Sequence, residues 1–191
     1  MDNNELVSIK LPQKIYTDIE HRALELYVES GITTIPIDPF KIIQHKGWIL
    51  KSVEGLSDYL GECITDDSSD GFSCYDPKRG TYIIAYDSGK PITRIRFTLM
   101  HEIGHIDMGH KQESDLAKKI ADAYAAYSLA PSPLIYALKC EDYIDVANRF
   151  NVSPECAYYC FQRYTNWYYF SGDIKAHEQM MMRQFGLRGK R

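Results

Sequence analysis

Two histidines four residues apart bracket a glutamate in His101-Glu102-Ile103-Gly104-His105. On a helix, residues i and i+4 stack one turn above the other on the same face. Two imidazoles so placed can each offer a nitrogen to one Zn²⁺ at about 2.0–2.1 Å. A third protein ligand would leave the fourth position for water, whose pKa zinc lowers to about 7. Glu102 lies beside the pair, on the edge of the same surface. It is too far round the helix to share the metal easily. It can reach the water, take its proton and pass that proton to a leaving amine. The pattern points to zinc-dependent peptide hydrolysis. The plainer alternative is a pair of polar histidines on a surface helix.

The chemistry requires a helix, and the flanking sequence supplies one over 91–108. Ile92, Ile95, Leu99, Ile103 and Ile106 form an apolar stripe roughly opposite His101 and His105. Pro91 suits the first turn and Gly109 the position just past the end. Gly104 leaves room for a neighbour to approach. A second helix, 115–129, carries Ala117, Ala121 and Ala125 at every fourth residue, small enough to pack closely on the first. Ser114 is its expected N-cap, which makes Asp115 a partner of the helix dipole.

The rest of the chain reads as α+β. Residues 13–30 are a helix with Ile15, Ile19, Ala23, Leu26 and Val28 facing inward, stopped by Gly31. A short helix runs from Pro39 to His45, opened by Asp38, and Trp48 to Val53 is a candidate strand. Residues 59–86 look like sheet. Within them, Gly71–Tyr75 and Thr81–Tyr86 are joined by the turn sequence Asp76-Pro77-Lys78-Arg79-Gly80. From Pro91 onward the pattern is helical, with further helices over 141–150, 154–169 and 173–185. No repeat or domain boundary interrupts it, so a single domain over 1–191 is expected.

The chain has 191 residues, 45% of them apolar and 25% charged, with a formal net charge of -4. That is an ordinary globular composition, and its sign argues against a general nucleic-acid binder. Arg183, Arg188, Lys190 and Arg191 form a basic end that reads as a solvated tail. The start shows neither the cationic nor the apolar part of a signal peptide, and no apolar run spans a bilayer. Five cysteines, an odd number without a Cys-x-x-Cys pair, fit a reducing compartment. A cytoplasmic protein is expected, with Cys156 and Cys160 as buried thiols.

Arg96-Phe97-Thr98-Leu99-Met100-His101-Glu102-Ile103-Gly104-His105 and Gly109-His110 resemble the ImmA/IrrE family of zinc metallopeptidases. So does Ala121-Asp122-Ala123-Tyr124-Ala125-Ala126-Tyr127 through Leu134, followed by Phe150-Asn151-Val152-Ser153. The resemblance is clearest over 95–165. It implies a zincin-like fold, a small antiparallel sheet beside the active-site helix, with residues 81–86 as the strand beside the cleft. It implies His101 and His105 as Zn²⁺ ligands and Glu102 as general base. It also implies a protein substrate, a helix-turn-helix repressor of a mobile element or stress regulon. Relatives usually carry glutamates just before the Ala-Asn/Asp segment, one of them a zinc ligand. Lys118 and Ile120 stand there in this chain. Asp122, one turn beyond Lys118, is the expected substitute ligand; its alternative role is to hold a ligand histidine in place. Glu113 and Asp115 are further carboxylates that could reach in. His110 falls off the ligand face and reads as a surface histidine unless the chain reverses there.

Asp145 to Tyr164 has the outline of a DNA-reading helix-turn-helix. Its second helix offers one basic residue, Arg163, and much aromatic surface, so packing or partner contact is expected. Two functions therefore follow from the sequence. One is an endopeptidase. The other is a degenerate zincin that binds and antagonises a partner without cutting it.

Overall fold

The computed structural model describes residues 11–53, 70–112, 114–170 and 172–188. Residues 59–69, Cys63, Glu113, Lys190 and Arg191, all invoked above, lie outside them. The described chain runs α1 (Gln13–Glu29), α2 (Pro39–His45), β1 (Ile49–Ser52), β2 (Gly71–Asp76) and β3 (Thr81–Tyr86). It continues through α3 (Ile92–Asp107), α4 (Asp115–Leu129), α5 (Ser132–Ala137), α6 (Tyr143–Phe150), α7 (Pro154–Phe170) and α8 (Ala176–Gln184). This is the expected α+β order with a helical second half. The short α5, which opens just after Pro131, adds a helix to those expected.

Local chemistry explains most element boundaries. The Asp38 carboxylate accepts from the Phe40 N–H at 3.0 Å, and the Ser114 hydroxyl accepts from the Ala117 N–H at 3.1 Å. Both are the N-caps expected from sequence. The Asp76 carboxylate accepts from the Lys78 N–H at 2.8 Å and closes the β2–β3 turn, which ends on Gly80 at φ +67°. That positive φ is the reason for glycine there.

The three strands stand in the order β1-β3-β2. β2 and β3 form the expected antiparallel hairpin, but β1 pairs with β3 in parallel, Ile49 opposite Ile83. The sheet is therefore mixed rather than antiparallel. β3 is its central strand, buried at Ile83, Ile84 and Ala85. Among the described residues, the strand that lines the cleft is β2, at the edge of these three, not residues 81–86.

The apolar stripes hold with two exceptions. Ile95, Leu99 and Ile103 of α3 are buried, whereas Ile92 is exposed in the first turn, before the helix reaches the core. On α1, Ile19, Ala23 and Leu26 are buried with Leu24 and Tyr27, but Val28 is exposed because it breaks the three-to-four spacing. Arg96 is buried. Its guanidinium donates to the carbonyls of Ile37 at 2.7 Å, Asn151 at 3.1 Å and Phe150 at 3.2 Å. It thereby satisfies carbonyls left without partners at the end of α6 and anchors α3 there.

α3 and α4 make the most extensive helix–helix contact. A Cβ on Gly104 would lie 3.0 Å from Tyr124 Cδ1 and 3.1 Å from its Cβ. Ala117, Ala121 and Ala125 of α4 are all buried. Tyr124 has no room to move, since it is fully buried and its hydroxyl donates to Asp107 Oδ2 at 2.7 Å. Gly104→Val should therefore lower stability by about 2–3 kcal/mol through overpacking, read as a fall in the urea midpoint at constant m.

Asp107 occupies the last turn of α3, where the helix dipole is unfavourable to negative charge. Burial raises its pKa, against the lowering effects of the Tyr124 hydrogen bond and Arg22. The folded chain thus holds this proton more tightly than the unfolded chain. The stabilising contribution is complete below the unfolded value of about 3.9 and is lost as pH rises through the folded value. Asp107→Asn keeps an oxygen for Tyr124 and removes the charge. It should raise the urea midpoint at pH 7, with the advantage over wild type shrinking as pH falls into the carboxylate range.

Candidate metal centre and cleft

His101 and His105 project from α3 with their Nε2 atoms 3.0 Å apart. Each ring is held by its other nitrogen. Asp122 Oδ1 lies 2.8 Å from His101 Nδ1, and His110 Nδ1 lies 3.1 Å from His105 Nδ1. The carboxylate of Asp122 can only accept, so His101 carries its proton on Nδ1 and turns the Nε2 lone pair toward His105. An imidazole fixed in this way presents the nitrogen a metal needs.

Asp122, given as a substitute ligand or as a residue that holds a ligand histidine in place, meets His101 through Nδ1. It sits on the far nitrogen of His101 because α4 packs so closely on α3 that its short side chain meets the near edge of the ring. Asp115 is exposed at the start of α4. Among the described residues, no third His, Cys, Asp or Glu atom joins the two Nε2 atoms in a metal-sized cluster. The donor set among the described residues is therefore two imidazoles with their orienting partners, and it fits zinc in element type and in convergence.

His110 is half-buried, and the reading of it as a free surface residue is corrected. The end of α3 explains the difference. The Gly109 N–H donates to the Ile106 carbonyl at 3.1 Å and the His110 N–H to the His105 carbonyl at 3.0 Å. With Gly109 at φ +70°, this is a Schellman ending. Such an ending sets the second residue past the cap against the residue five before it, here His110 against His105, with ring centroids 5.0 Å apart. The signal was legible as a glycine four residues after His105 followed at once by a second histidine. Burial, and after it the neighbouring His101, lower the His110 pKa. A neutral His110 can donate from one nitrogen and accept at the other.

Glu102 is only 7% exposed and faces the same cleft as His101. The Ser73 hydroxyl donates to its Oε2 at 2.7 Å, fixing the carboxylate against β2. Ser73 carries no signal in the sequence. It acts through strand position alone.

The cleft holds about 1090 Å³. Gly71 and Phe72 of the edge strand line it, with Lys118 and Asp122 from α4. At its far end Arg163 lies over the Tyr16 ring, 4.5 Å from the centroid. The single basic residue of α7's central stretch is therefore turned onto this wall, which leaves the helix without the basic face of a DNA reader. Cys156 and Cys160 line the cleft as buried thiols, 3.9 Å apart.

Gly109→Ala should cost about 1–2 kcal/mol, because a Cβ disfavours the left-handed backbone that returns His110 to His105. Urea unfolding measures the loss. The family model for the IrrE N-terminal-like domain, of the M78 peptidases, matches residues 62–161. No match to a curated protein was found.

Proposed function

The chain belongs to the IrrE N-terminal-like family of M78 peptidases, and on that premise we propose that it is a zinc-dependent endopeptidase. The observation that carries this reading is the pair of Nε2 atoms at 3.0 Å, each ring tied back through Nδ1. His101 and His105 would hold the metal, with Asp122 and His110 as positioning residues. Bound zinc would supply Lewis acidity toward a water and a peptide carbonyl at neutral pH. Glu102 is the general base and acid. It takes the water's proton and returns it to the departing amine, while Ser73 keeps the carboxylate turned to the cleft.

A cleft of about 1090 Å³ exceeds the usual small-molecule range of roughly 300–1,000 Å³. β2, at the edge of the three described strands, lies beside it and can align an extended peptide by backbone pairing. Both features support a protein substrate. The family resemblance supports a helix-turn-helix repressor of a mobile element or stress regulon, with no direct nucleic-acid contact. Among the described residues no helix is long and apolar enough to cross a membrane. A cytoplasmic location remains part of this proposal.

Lys118 in the cleft favours a second reading, a domain that binds its partner without cutting it. An ammonium lines the site where relatives carry a glutamate. The experiment compares wild type and Glu102→Gln on a candidate repressor. Fragments from wild type, reduced at least about 100-fold in rate by the substitution, are expected for the peptidase. Equal derepression by both proteins without fragments supports the binder and sinks the peptidase.

A further inference from the structure

We infer that Glu20, His177 and Glu178 form a second metal site, structural in role and suited to a divalent first-row cation such as Zn²⁺. Their ligand atoms all lie within 4.8 Å of one another, and none of the three lines the cleft described above. Glu20 lies on α1; His177 and Glu178 lie in the first turn of α8. The site thus joins elements more than 150 residues apart in sequence.

Three observations point to an ion. First, Glu20 Oε2 and His177 Nε2 are wholly buried and make no hydrogen bond. They approach to 3.4 Å, the range of an ion pair, but without the directions of one donating to the other. For bonds of about 2.0–2.1 Å, a tetrahedral zinc places neighbouring ligand atoms about 3.3–3.4 Å apart. The separation and the missed hydrogen bond are both what two ligands aimed at a common point would show.

Second, two carboxylates face a single imidazole. The Glu20 side chain is 15% exposed and Glu178 1% exposed. Among the described residues, neither carboxylate pairs with a lysine or arginine. Two carboxylates brought together away from water need a cation or a proton. Third, the donors are held in place. Trp167 Nε1–H donates to Glu178 Oε1 at 2.6 Å and the Lys175 N–H donates to Oε2 at 2.7 Å. The His21 ring lies against His177, centroids 4.4 Å apart. Glu178 caps the start of α8 with these contacts, yet each oxygen has a second lone pair for a ligand bond. One imidazole and two carboxylates form a hard-to-borderline donor set, suited to zinc and its neighbours rather than to a soft ion.

The test counts metal in the full-length protein, stripped with chelator and titrated with Zn²⁺ by calorimetry. Co²⁺ absorbance reports the ligand set in parallel. Four proteins are compared: wild type, Glu20→Gln, His177→Gln, and the double variant His101→Ala/His105→Ala. The double variant should keep one equivalent and gain melting temperature when zinc is added. Glu20→Gln and His177→Gln should each weaken that equivalent at least about 100-fold. Glu20→Gln is nearly isosteric, and its melting in chelator shows whether it folds as wild type does. The inference is overturned if the double variant binds no zinc. It is equally overturned if Glu20→Gln and His177→Gln, folded, bind as tightly as wild type; the cluster is then a plain Glu20–His177 ion pair. One equivalent in wild type that is lost with Glu20→Gln alone would uphold this site and defeat zinc binding at His101 and His105.

Discussion

The close approach of α3 and α4 is the constraint on which the candidate centre depends. Helices pack at 8–10 Å according to the side chains between them. Here the space is set at Gly104, where any side chain would meet Tyr124 of α4. Tyr124 lies across Gly104 and bonds Asp107, which fixes the register of the two helices as well as their spacing. At this spacing and register a side chain as short as aspartate reaches the His101 ring. A larger residue at 104 would carry α4 outward and leave His101 Nδ1 without its acceptor.

The histidines form a chain of ring-nitrogen contacts, His110 to His105 to His101 to Asp122, and the Asp122 carboxylate sets its direction at one end. Asp122 fixes the His101 proton on Nδ1, so His101 Nε2 is an acceptor. Without a metal, the chain is satisfied if His110 donates to His105 Nδ1 and His105 donates from Nε2 to His101. With a metal, His105 needs its Nε2 lone pair, so its proton moves to Nδ1 and His110 becomes the acceptor. The proton count is three imidazole N–H groups in both states. Under the proposed metal site, loading would then require a change of tautomer and no net release of protons from these rings. His110 permits this because it can serve as either donor or acceptor, which a carboxylate in its place could not do.

Whatever depended on neighbours in sequence was legible there. The caps Asp38 and Ser114, the Asp76–Gly80 turn, the role of Gly104 and the facing of His101 and His105 follow from spacing within a few residues. The parallel pairing of β1 with β3 did not, since it joins strands more than 30 residues apart and nothing in a four-residue strand encodes its partner. Asp122 shows the intermediate case. Its helix face was readable, but which nitrogen of His101 it meets depends on the distance between two helices. Ser73 and the Glu20–His177–Glu178 cluster are purely tertiary. Their residue types are common, and only the packed fold brings them together.

α1 contributes no residue to the candidate centre, yet it braces both helices that do. A helix ends with carbonyls that have no partner within it. The Arg22 guanidinium donates to the Asp107 carbonyl at the end of α3 at 2.7 Å. The Tyr27 hydroxyl donates to the Ser128 carbonyl near the end of α4 at 2.6 Å. One helix therefore satisfies the C-terminal ends of both site helices, each through a side chain of fixed length. Tyr16 on the same helix carries the Arg163 guanidinium at the far end of the cleft. Glu20, one turn further along, meets the start of α8. Displacing α1 would strand the buried Ser128 carbonyl, take the partner from that of Asp107, and loosen the ends of α3 and α4 together, and with them the separation of His101 and Asp122. The geometry of the candidate centre is held as firmly by this unreactive helix as by the histidines' own contacts.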